Sequence, residues 1–258
     1  ARHAILGPLI RSIFIPEKDH EWGIFDYSQQ EPRIVVHYAS MKNFTGADKF
    51  VDAYRDDETT DFHKMVSEIA DIPRKKAKTI NLGLFYGMGK GKLMSQLGIN
   101  LEDATEMLAN YNERVPFVKQ LMNDTMNKAG KKGYLSTIEG RRCRFELYEP
   151  TNEWGQKALP FKEAKDEYGE HMIKRAWTYK ALNRLIQGSA ADQTKKAMLE
   201  LSKEGYLSHI QVHDELDFSV ATEKDKSKIK EIMEHAVKLE VPSKVDVECG
   251  DSWGDAGD

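Results

Sequence analysis

The sequence predicts an α+β fold in which an antiparallel sheet is interrupted by a long helical insertion. An apolar strand pattern covers residues 22–27, a hairpin pattern covers residues 206–220, and helical periodicity dominates between them. Because strands, helices and strands follow one another along the chain, two subdomains are expected. We place the sheet in residues 1–33 and 176–258 and the helical insertion in residues 34–175.

The first part of the chain provides strand signals followed by helix signals. Residues 12–15 and 22–27 are predicted strands, the second rich in aromatic and β-branched residues. Residues 29–38 are a predicted helix with Pro32 in its first turn, where proline is tolerated. Further helices are predicted over residues 60–70, 73–86, 101–113, 117–129 and 170–204, with a charged loop over residues 144–169.

The last part of the chain returns to strand patterns. Residues 206–212 and 215–220 alternate apolar and polar side chains and flank a tight turn at His213-Asp214, which predicts a hairpin. A charged helix over residues 224–238 and a strand over residues 244–248 complete the predicted order.

The composition is that of a folded globular protein. The 258 residues include 38 Lys and Arg, 42 Asp and Glu, and 31% charged residues with ordinary aromatic content, which excludes a disordered chain. No apolar run reaches the length of a membrane span, and no signal-peptide pattern is present, so a cytoplasmic protein is predicted. Cys143 and Cys249 lie far apart and indicate neither a zinc site nor a disulfide framework.

The charges are segregated along the chain. Residues 71–100 hold six basic residues against one acidic residue, residues 119–144 hold seven against two, and the stretch from Asp214 onwards is rich in acids. Such a division suits a protein that neutralises phosphates with one region and holds metal ions with another. Solvated helix faces would produce the same runs.

Two aspartates stand at the ends of predicted strands. Asp26 ends the strand over residues 22–27, and Asp214 lies at the tip of the hairpin. If both strands belong to one sheet, these carboxylates can share divalent metal ions that assist phosphoryl transfer. Mg²⁺ suits this role because it binds through one or two carboxylates together with substrate phosphates. Aspartates are also common in turns, so their placement alone leaves a structural role open.

The helix predicted over residues 73–86 carries a second group of candidate residues. Arg74, Lys78, Leu82 and Tyr86 step by four and therefore share one helix face. The cations suit the phosphates of a nucleoside triphosphate, and the apolar pair suits its sugar and base. An amphipathic helix with solvated cations would show the same pattern.

Together, these segments resemble the polymerase motifs of the family A DNA polymerases, the bacterial DNA polymerase I and phage group. Residues 26–33 (DYSQQEPR) are similar to motif A, residues 74–87 (RKKAKTINLGLFYG) to motif B and residues 211–215 (QVHDE) to motif C. Three shorter segments also fit the family, namely residues 140–142 (GRR), 187–192 (QGSAAD) and 250–253 (GDSW). The resemblance implies that the sheet is a palm, that the helical insertion is the fingers, and that the protein acts in a bacterial or phage-infected cell.

The resemblance further implies template-directed transfer of deoxynucleotides to a primer 3′-hydroxyl, with two Mg²⁺ ions as cofactors and with DNA primer-template and dNTPs as partners. The catalytic residues would be Asp26, Asp214 and Lys78. The metal ligands would be Asp26, the Tyr27 carbonyl, Asp214 and Glu215.

The resemblance also assigns binding residues. Those for the incoming nucleotide would be His63, Arg74, Lys78, Leu82, Tyr86, Gln29 and Glu31. Among them, Glu31 would be the steric gate that rejects a 2′-hydroxyl. The DNA contacts would be Arg33, Arg142, Asn183, Gln187 and His213.

Two departures and two alternatives accompany this interpretation. Leu82 stands where the family usually has Phe or Tyr. The chain begins just before motif A, so a C-terminal fragment or one piece of a split enzyme is expected, with a second polypeptide supplying the thumb and exonuclease domains. A single-subunit RNA polymerase relative is a rival that Glu31 and the His213-Asp214-Glu215 triplet disfavour. A non-catalytic or partner-dependent nucleic-acid-binding fragment of a split polymerase is the other.

Overall fold

The computed structural model describes residues 6–153 and 155–256. Residues 1–5 and 257–258 of the predicted sheet segments, and residue 154 of the predicted loop, lie outside the described residues. The described chain combines helices with antiparallel sheets, which confirms the predicted fold class. It forms two compact units: a sheet unit of Ala1–Ile34, Tyr54–Thr59 and Ala190–Asp258, and a helical unit of Val35–Ala53 and Thr60–Ser189.

The elements follow one another in this order. The first half comprises α1 (Leu6–Arg11), β1 (Glu21–Tyr27), α2 (Gln30–Ser40), α3 (Ala47–Asp56), α4 (Phe62–Ala70), α5 (Arg74–Phe85), α6 (Lys90–Leu97), α7 (Leu101–Arg114) and α8 (Pro116–Lys132). The second half comprises β2 (Tyr134–Ser136), β3 (Arg142–Arg144), β4 (Leu147–Pro150), β5 (Leu159–Pro160), α9 (Phe161–Tyr168), β6 (Ile173–Arg175), α10 (Ala181–Lys203), β7 (Ile210–Val212), β8 (Glu215–Val220), α11 (Glu223–His235) and β9 (Val245–Gly250).

The sheet unit is built on a four-stranded sheet with the order β7-β8-β1-β9, in which all neighbours are antiparallel. Because successive side chains of a strand point to opposite faces, the register divides the sheet into two different surfaces. One surface is the core, where side chains of the three longer strands pack with residues of α10 and α11. This core contains Phe25, Tyr27, Leu216, Phe218, Val220, Val245, Ala197, Leu201, Ile229 and Met233.

The core fixes the central strand β1 in place. Phe25 meets Phe218 edge to face with ring centroids 5.4 Å apart. The buried Tyr27 hydroxyl donates to the Met233 carbonyl at 2.6 Å, so its polar atom is satisfied inside the core. These contacts hold the end of β1, where Asp26 lies, against α11.

Arg33 links the start of α2 to two other segments of the sheet unit. The side chain is 2% exposed, and its guanidinium donates to the carbonyls of Ser28 at 2.9 Å, Glu58 at 2.5 Å and Pro242 at 2.6 Å. It also stacks on the Tyr54 ring at 4.4 Å. This geometry gives Arg33 a structural role, because the predicted contact with DNA would require these donors to leave their carbonyls.

The helical unit is held together by aromatic rings. Phe50 lies 5.1 Å from Phe62 and 5.0 Å from Phe117, measured between ring centroids. These residues come from α3, α4 and α8, so one ring cluster joins three helices. Two small antiparallel sheets, β2-β3 and β5-β4-β6, complete this unit.

Several predicted elements are wrong. Residues 12–15 form no strand: the chain turns after α1, and Phe14 contributes its carbonyl to the Trp253 amide at 2.9 Å. The predicted loop over residues 144–169 contains β4, β5 and α9. The strands there are too short to show alternation, and α9 spans only eight residues, so its apolar face of Phe161, Ala164 and Tyr168 gives a weak periodic signal among charged residues.

The long helix predicted over residues 170–204 begins only at Ala181. Left-handed backbone at Trp177 (φ 57°) interrupts the predicted interval, and β6 occupies part of it. Helices α1, α3 and α6 and the β2-β3 hairpin were not predicted. The chain returns to the sheet unit at Ala190, whereas the sequence predicted this boundary at residue 176.

No helix in the described ranges is both long and apolar enough to cross a membrane.

We expect Arg33→Lys to lower the free energy of unfolding by about 3 kcal/mol, because one ammonium cannot satisfy three buried carbonyls in fixed directions. The matched control is Arg55→Lys in the same unit. The Arg55 side chain is 56% exposed and pairs with Glu240 at 3.5 Å. Arg55→Lys should therefore lower the free energy of unfolding by less than about 1 kcal/mol. Urea unfolding of both variants measures the difference, and equal midpoints would contradict the structural role of Arg33.

Candidate active site

The surface of the large sheet opposite its core carries a row of carboxylates. Asp26 on β1 is in register with Glu215 on β8 and Asp246 on β9. The same alternation places two further acids on this surface, since Ile24 is in register with both Asp217 and Glu248. We call this surface the acidic face; it comprises Asp26, Glu215, Asp217, Asp246 and Glu248.

The hairpin turn brings a further carboxylate to the end of β1. Val212 pairs with Glu215, so only His213 and Asp214 form the connection. His213 adopts φ 57°, an uncommon conformation for a non-glycine residue, and Gln211 Nε2 donates to its carbonyl at 2.6 Å. The Tyr27 amide lies 3.4 Å from the Asp214 carbonyl oxygen, so the backbones that carry Asp26 and Asp214 are neighbours.

The predicted metal ligands influence one another electrostatically. Burial raises the pKa of Asp26, the nearby carboxylates of Asp214, Glu215 and Glu248 raise it further, and together they bring it to about 7. Burial also raises the pKa of Asp214 above its usual range. The site therefore favours protonation or a bound cation over several free negative charges.

Asp217 belongs to the same cluster and was missed by the sequence analysis. Burial, followed by the Glu215 carboxylate, raises its pKa to about 8, and Arg11 acts in the opposite direction. Neither carboxylate oxygen meets a hydrogen-bond donor in the described part of the chain. The signal was present in the sequence, because acids two residues apart in a strand share one face.

The residue chemistry fits Mg²⁺. All the candidate side-chain ligands are carboxylates, and a divalent cation would favour the ionised form of Asp26, which burial and the neighbouring carboxylates disfavour. Across residues 6–153 and 155–256, no three acidic, histidine or cysteine side chains converge on one point. A cation would therefore draw other ligands from backbone, water or substrate, as Mg²⁺ commonly does.

Two segments of the sheet unit lie near the predicted ligands, one by a direct contact and one by its position in the sequence. Trp253 Nε1 donates to Glu215 Oε1 at 3.3 Å, so the segment over residues 250–253 packs beside the predicted ligand. At the turn into α2, Gln29 adopts φ 53° and accepts from the Tyr54 hydroxyl at 3.4 Å. Glu31 is half-buried in the first turn of the same helix. Gln29 and Glu31 thus lie in the sheet unit, close in sequence to Asp26.

The helical unit holds the predicted phosphate-binding residues on α4 and α5. Asp61 caps α4 by accepting from the amides of His63 at 2.8 Å and Lys64 at 3.1 Å. Its second oxygen accepts from Arg74, with Nε at 2.8 Å. Burial works to raise the Asp61 pKa, but the bonds from Arg74 and from these amides outweigh it and leave the pKa below its usual range.

His63 is a buried residue of the first turn of α4. It is 6% exposed, and burial lowers its pKa to about 4; the Asp61 carboxylate opposes this shift, and Lys78 and Arg74 add to it. The imidazole is therefore neutral near pH 7. Lys78 itself is exposed on the outer face of α5.

Leu82 and Tyr86 line a cavity of about 680 Å³ in the helical unit. Tyr86 is 43% exposed, and Leu82 is half-buried. Gly87, with φ 70°, follows the end of α5 here, and a Cβ at this position would lie 2.7 Å from the Tyr179 carbonyl oxygen. The apolar part of the predicted nucleotide-binding face is therefore open to a ligand.

Three of the predicted DNA contacts lie on adjoining elements of the helical unit. Arg142 is exposed on β3 and stacks on the Tyr134 ring at 4.7 Å. Asn183 and Gln187 share one face of α10, and Gln187 is exposed. The β2-β3 hairpin packs closely on α10, since a Cβ at Gly188 of α10 would lie 2.8 Å from Thr137 Cγ2 in the turn after β2. His213 belongs to the sheet unit.

Three DNA polymerases are similar to this chain. A DNA-directed DNA polymerase of Pseudomonas phage M6 is 38% identical over 95% of this chain and 40% of its own length. DNA polymerase I of Bacillus subtilis is 35% identical over 97% of this chain and 28% of its own length. A solved structure, the POL domain of Pol1 from M. smegmatis in complex with DNA primer-template and dNTP, has a TM-score of 0.78 and 29% identity, covering 99% of this chain and 44% of that chain.

These relatives are DNA polymerases. The family of this chain follows from a match over most of its sequence. Residues 3–255 match the family described as DNA polymerase family A, and the chain belongs to that family. It spans less than half the length of the relatives that it matches.

We expect Mg²⁺ to raise the melting temperature more at pH 8 than at pH 5. Asp26 and Asp217 have pKa values of about 7 and about 8, above the 3.8 that is usual for an aspartate, so the folded chain holds more protons than the unfolded chain in this range. Stability should therefore fall as pH rises from about 4 to about 8, and a cation should restore it once the carboxylates are ionised.

Thermal melts with EDTA or Mg²⁺ check this expectation, with Asp217→Asn as the variant that should weaken the pH dependence. An equal rise in melting temperature at both pH values would show that Mg²⁺ does not bind the ionised acidic face.

Proposed function

We propose that this chain is the nucleotidyl-transferring part of a DNA-directed DNA polymerase that adds deoxynucleotides to a primer 3′-hydroxyl with the help of two Mg²⁺ ions. The sheet unit is its palm, and the helical unit is its fingers. The observation that carries the proposal is that Asp26 and the turn with Asp214 lie next to each other on neighbouring strands, where burial and nearby carboxylates raise the pKa of Asp26.

The palm residues would hold the metal ions. Asp26 and Asp214 would provide carboxylate oxygens, the Tyr27 carbonyl would provide a backbone oxygen, and Glu215 would lie beside them. Bound ions would supply positive charge at the attacking and leaving oxygens of the transfer. Burial of Phe25 and Tyr27 in the core keeps this end of β1 rigid, which favours a fixed arrangement of ligands.

The fingers residues would hold the incoming nucleotide. Arg74, Lys78 and His63 would bind its triphosphate, and Lys78 would give a proton to the pyrophosphate that leaves. Arg74 is held by Asp61 in this structure, so binding of a triphosphate would have to compete with that ion pair. Leu82 and Tyr86 would lie under the sugar and base, in the cavity that they line.

The remaining predicted residues would act on the sugar and the DNA. Glu31 would crowd a ribose 2′-hydroxyl, and Gln29 would lie near the same nucleotide. The residues that would contact primer-template are Arg142, Asn183, Gln187 and His213. Arg142 is exposed beside Tyr134, so a guanidinium and a ring are both available to a nucleic-acid strand.

We expect Asp26→Asn and Asp214→Asn each to reduce primer extension by at least about a thousandfold, because each removes a carboxylate ligand without changing side-chain size. Rapid-quench measurement of single-nucleotide addition by the chain, with binding of the same primer-template followed by anisotropy, separates chemistry from DNA affinity.

The matched control is Asp19→Asn, an exposed aspartate of the sheet unit whose left-handed backbone asparagine tolerates. It should extend primers at the unaltered rate. DNA binding without extension by the unaltered chain would contradict the proposal and favour a nucleic-acid-binding fragment.

Leu82→Phe should speed single-turnover incorporation roughly tenfold, because a ring offers a flat surface that positions the sugar and base. Leu82→Tyr should relax discrimination against dideoxynucleotides, since it adds a hydroxyl near the sugar. Leu84→Phe, a half-buried position of α5 outside the cavity, is the control. Identical relative rates of deoxy- and dideoxynucleotide use in the unaltered chain and in both Leu82 variants would place Leu82 away from the sugar.

A further inference from the structure

A buried asparagine on α5 makes two specific contacts behind the phosphate-binding face. Asn81 is 0% exposed and lies among Ala77, Ile80 and Phe85 on the inner face of the helix. A buried amide is costly unless both of its polar atoms have partners. Its oxygen accepts from the Tyr111 hydroxyl at 2.6 Å, and its nitrogen lies 2.9 Å from His63 Nδ1.

The direction of these two bonds follows from their donors. Tyr111 is 0% exposed and remains neutral, because burial raises its pKa far above the physiological range. It has one proton, which it donates to Asn81 Oδ1. The amide nitrogen then faces His63, and because it can only donate, His63 Nδ1 must accept. A neutral imidazole that accepts at Nδ1 carries its proton on Nε2.

The rest of His63 is fixed by α4. Its amide donates to Asp61, the carboxylate that also receives Arg74, so the histidine backbone and the arginine side chain share one anchor. The charged groups that act on the ring are Asp61, Lys78 and Arg74, and Tyr111 faces it through Asn81. Asn110, the neighbour of Tyr111 on α7, donates to the Ala70 carbonyl at 2.6 Å and joins α7 to the end of α4.

We propose that Asn81 and Tyr111 are positioning residues that hold His63 as a neutral Nε2–H donor for an oxygen of the incoming triphosphate. The donor function rests on the proposed function of the chain, whereas the state of the ring does not. Neither residue would touch the nucleotide; both would act through the orientation and tautomer of one imidazole. A neutral donor can bind a phosphate oxygen without adding a third positive charge beside Arg74 and Lys78.

The first test concerns the free protein. In ¹⁵N-histidine-labelled chain, the ring-nitrogen shifts of His63 should report protonated Nε2 and unprotonated Nδ1 from pH 8 down to about pH 5. Tyr111→Phe frees the amide to rotate and should yield a mixture of tautomers. Asn81→Asp replaces the donor by an acceptor and should protonate Nδ1. A His63 ring protonated at Nδ1 in the unaltered chain would overturn the proposal.

The second test is a double-mutant cycle on nucleotide binding during single-nucleotide addition opposite one template base. Tyr111→Phe should weaken apparent dATP affinity roughly tenfold, with less effect on the maximal rate. The same change should have no further effect in a His63→Ala background, since both act through one ring. Additive effects would mean that Tyr111 is merely structural and would overturn the proposal.

Asn110→Ala is the structural control, because it loosens the contact between α7 and α4 without touching His63. It should leave the His63 ring shifts unchanged. A chain that shows the expected ring shifts but extends no primer would refute the proposed function and leave the positioning of His63 supported.

Discussion

Carboxylates that repel one another lie side by side on three strands of the sheet unit, and the surrounding structure holds them there. Separation would relieve the repulsion, but the register of β1 with β8 and β9 fixes their spacing. The anchoring comes from the opposite surface, where Phe25, Tyr27 and Phe218 are buried. The hydrophobic core thus supplies the free energy that keeps like charges together.

The connections around the acidic face have the same effect. A two-residue turn with left-handed His213 places Asp214 next to the end of β1, and Arg33 ties the start of α2 to two distant carbonyls. Strained or buried polar features of this kind persist only where neighbouring structure determines them. A bound cation would relieve this repulsion. The repulsion that lowers the free energy of unfolding in the absence of metal would therefore strengthen metal binding.

The candidate binding groups of the helical unit are positively charged or neutral, in contrast to the carboxylates of the sheet unit. Asp61 holds two of these groups through one carboxylate. Behind them, the buried Asn81 side chain is satisfied by the Tyr111 hydroxyl at its oxygen and by the His63 ring at its nitrogen. Polar groups are therefore arranged before any ligand arrives, which lowers the entropic cost of binding.

Much of this arrangement was predictable from local patterns. The strand that ends at Asp26, the hairpin at His213-Asp214 and the helix face from Arg74 to Tyr86 all depend on short-range periodicity, which the sequence displays directly. Asp217 could have been found in the same way, because it stands two residues after Glu215 in a strand that alternates with apolar residues. The bonds of Arg33 and of Asn81 join residues far apart in sequence, so no local pattern could indicate them.

The elements that were missed share a different cause. Strand β5 and the eight-residue helix α9 are too short to give a clear periodic pattern, and their stability comes from tertiary contacts such as that between Tyr148 and Phe161. The late start of α10 depends on left-handed backbone at Trp177, a conformation that its residue type does not suggest.

We infer that Mg²⁺ binds the carboxylates that repel one another around Asp26. Titration calorimetry with Mg²⁺ at pH 7, repeated in buffers of different ionisation enthalpy, counts the protons released on binding. Because the pKa of Asp26 is about 7, binding should release a substantial fraction of a proton, and Asp26→Asn should abolish that release. Binding of Mg²⁺ without proton release, or with the same release in Asp26→Asn, would contradict binding of the cation at Asp26.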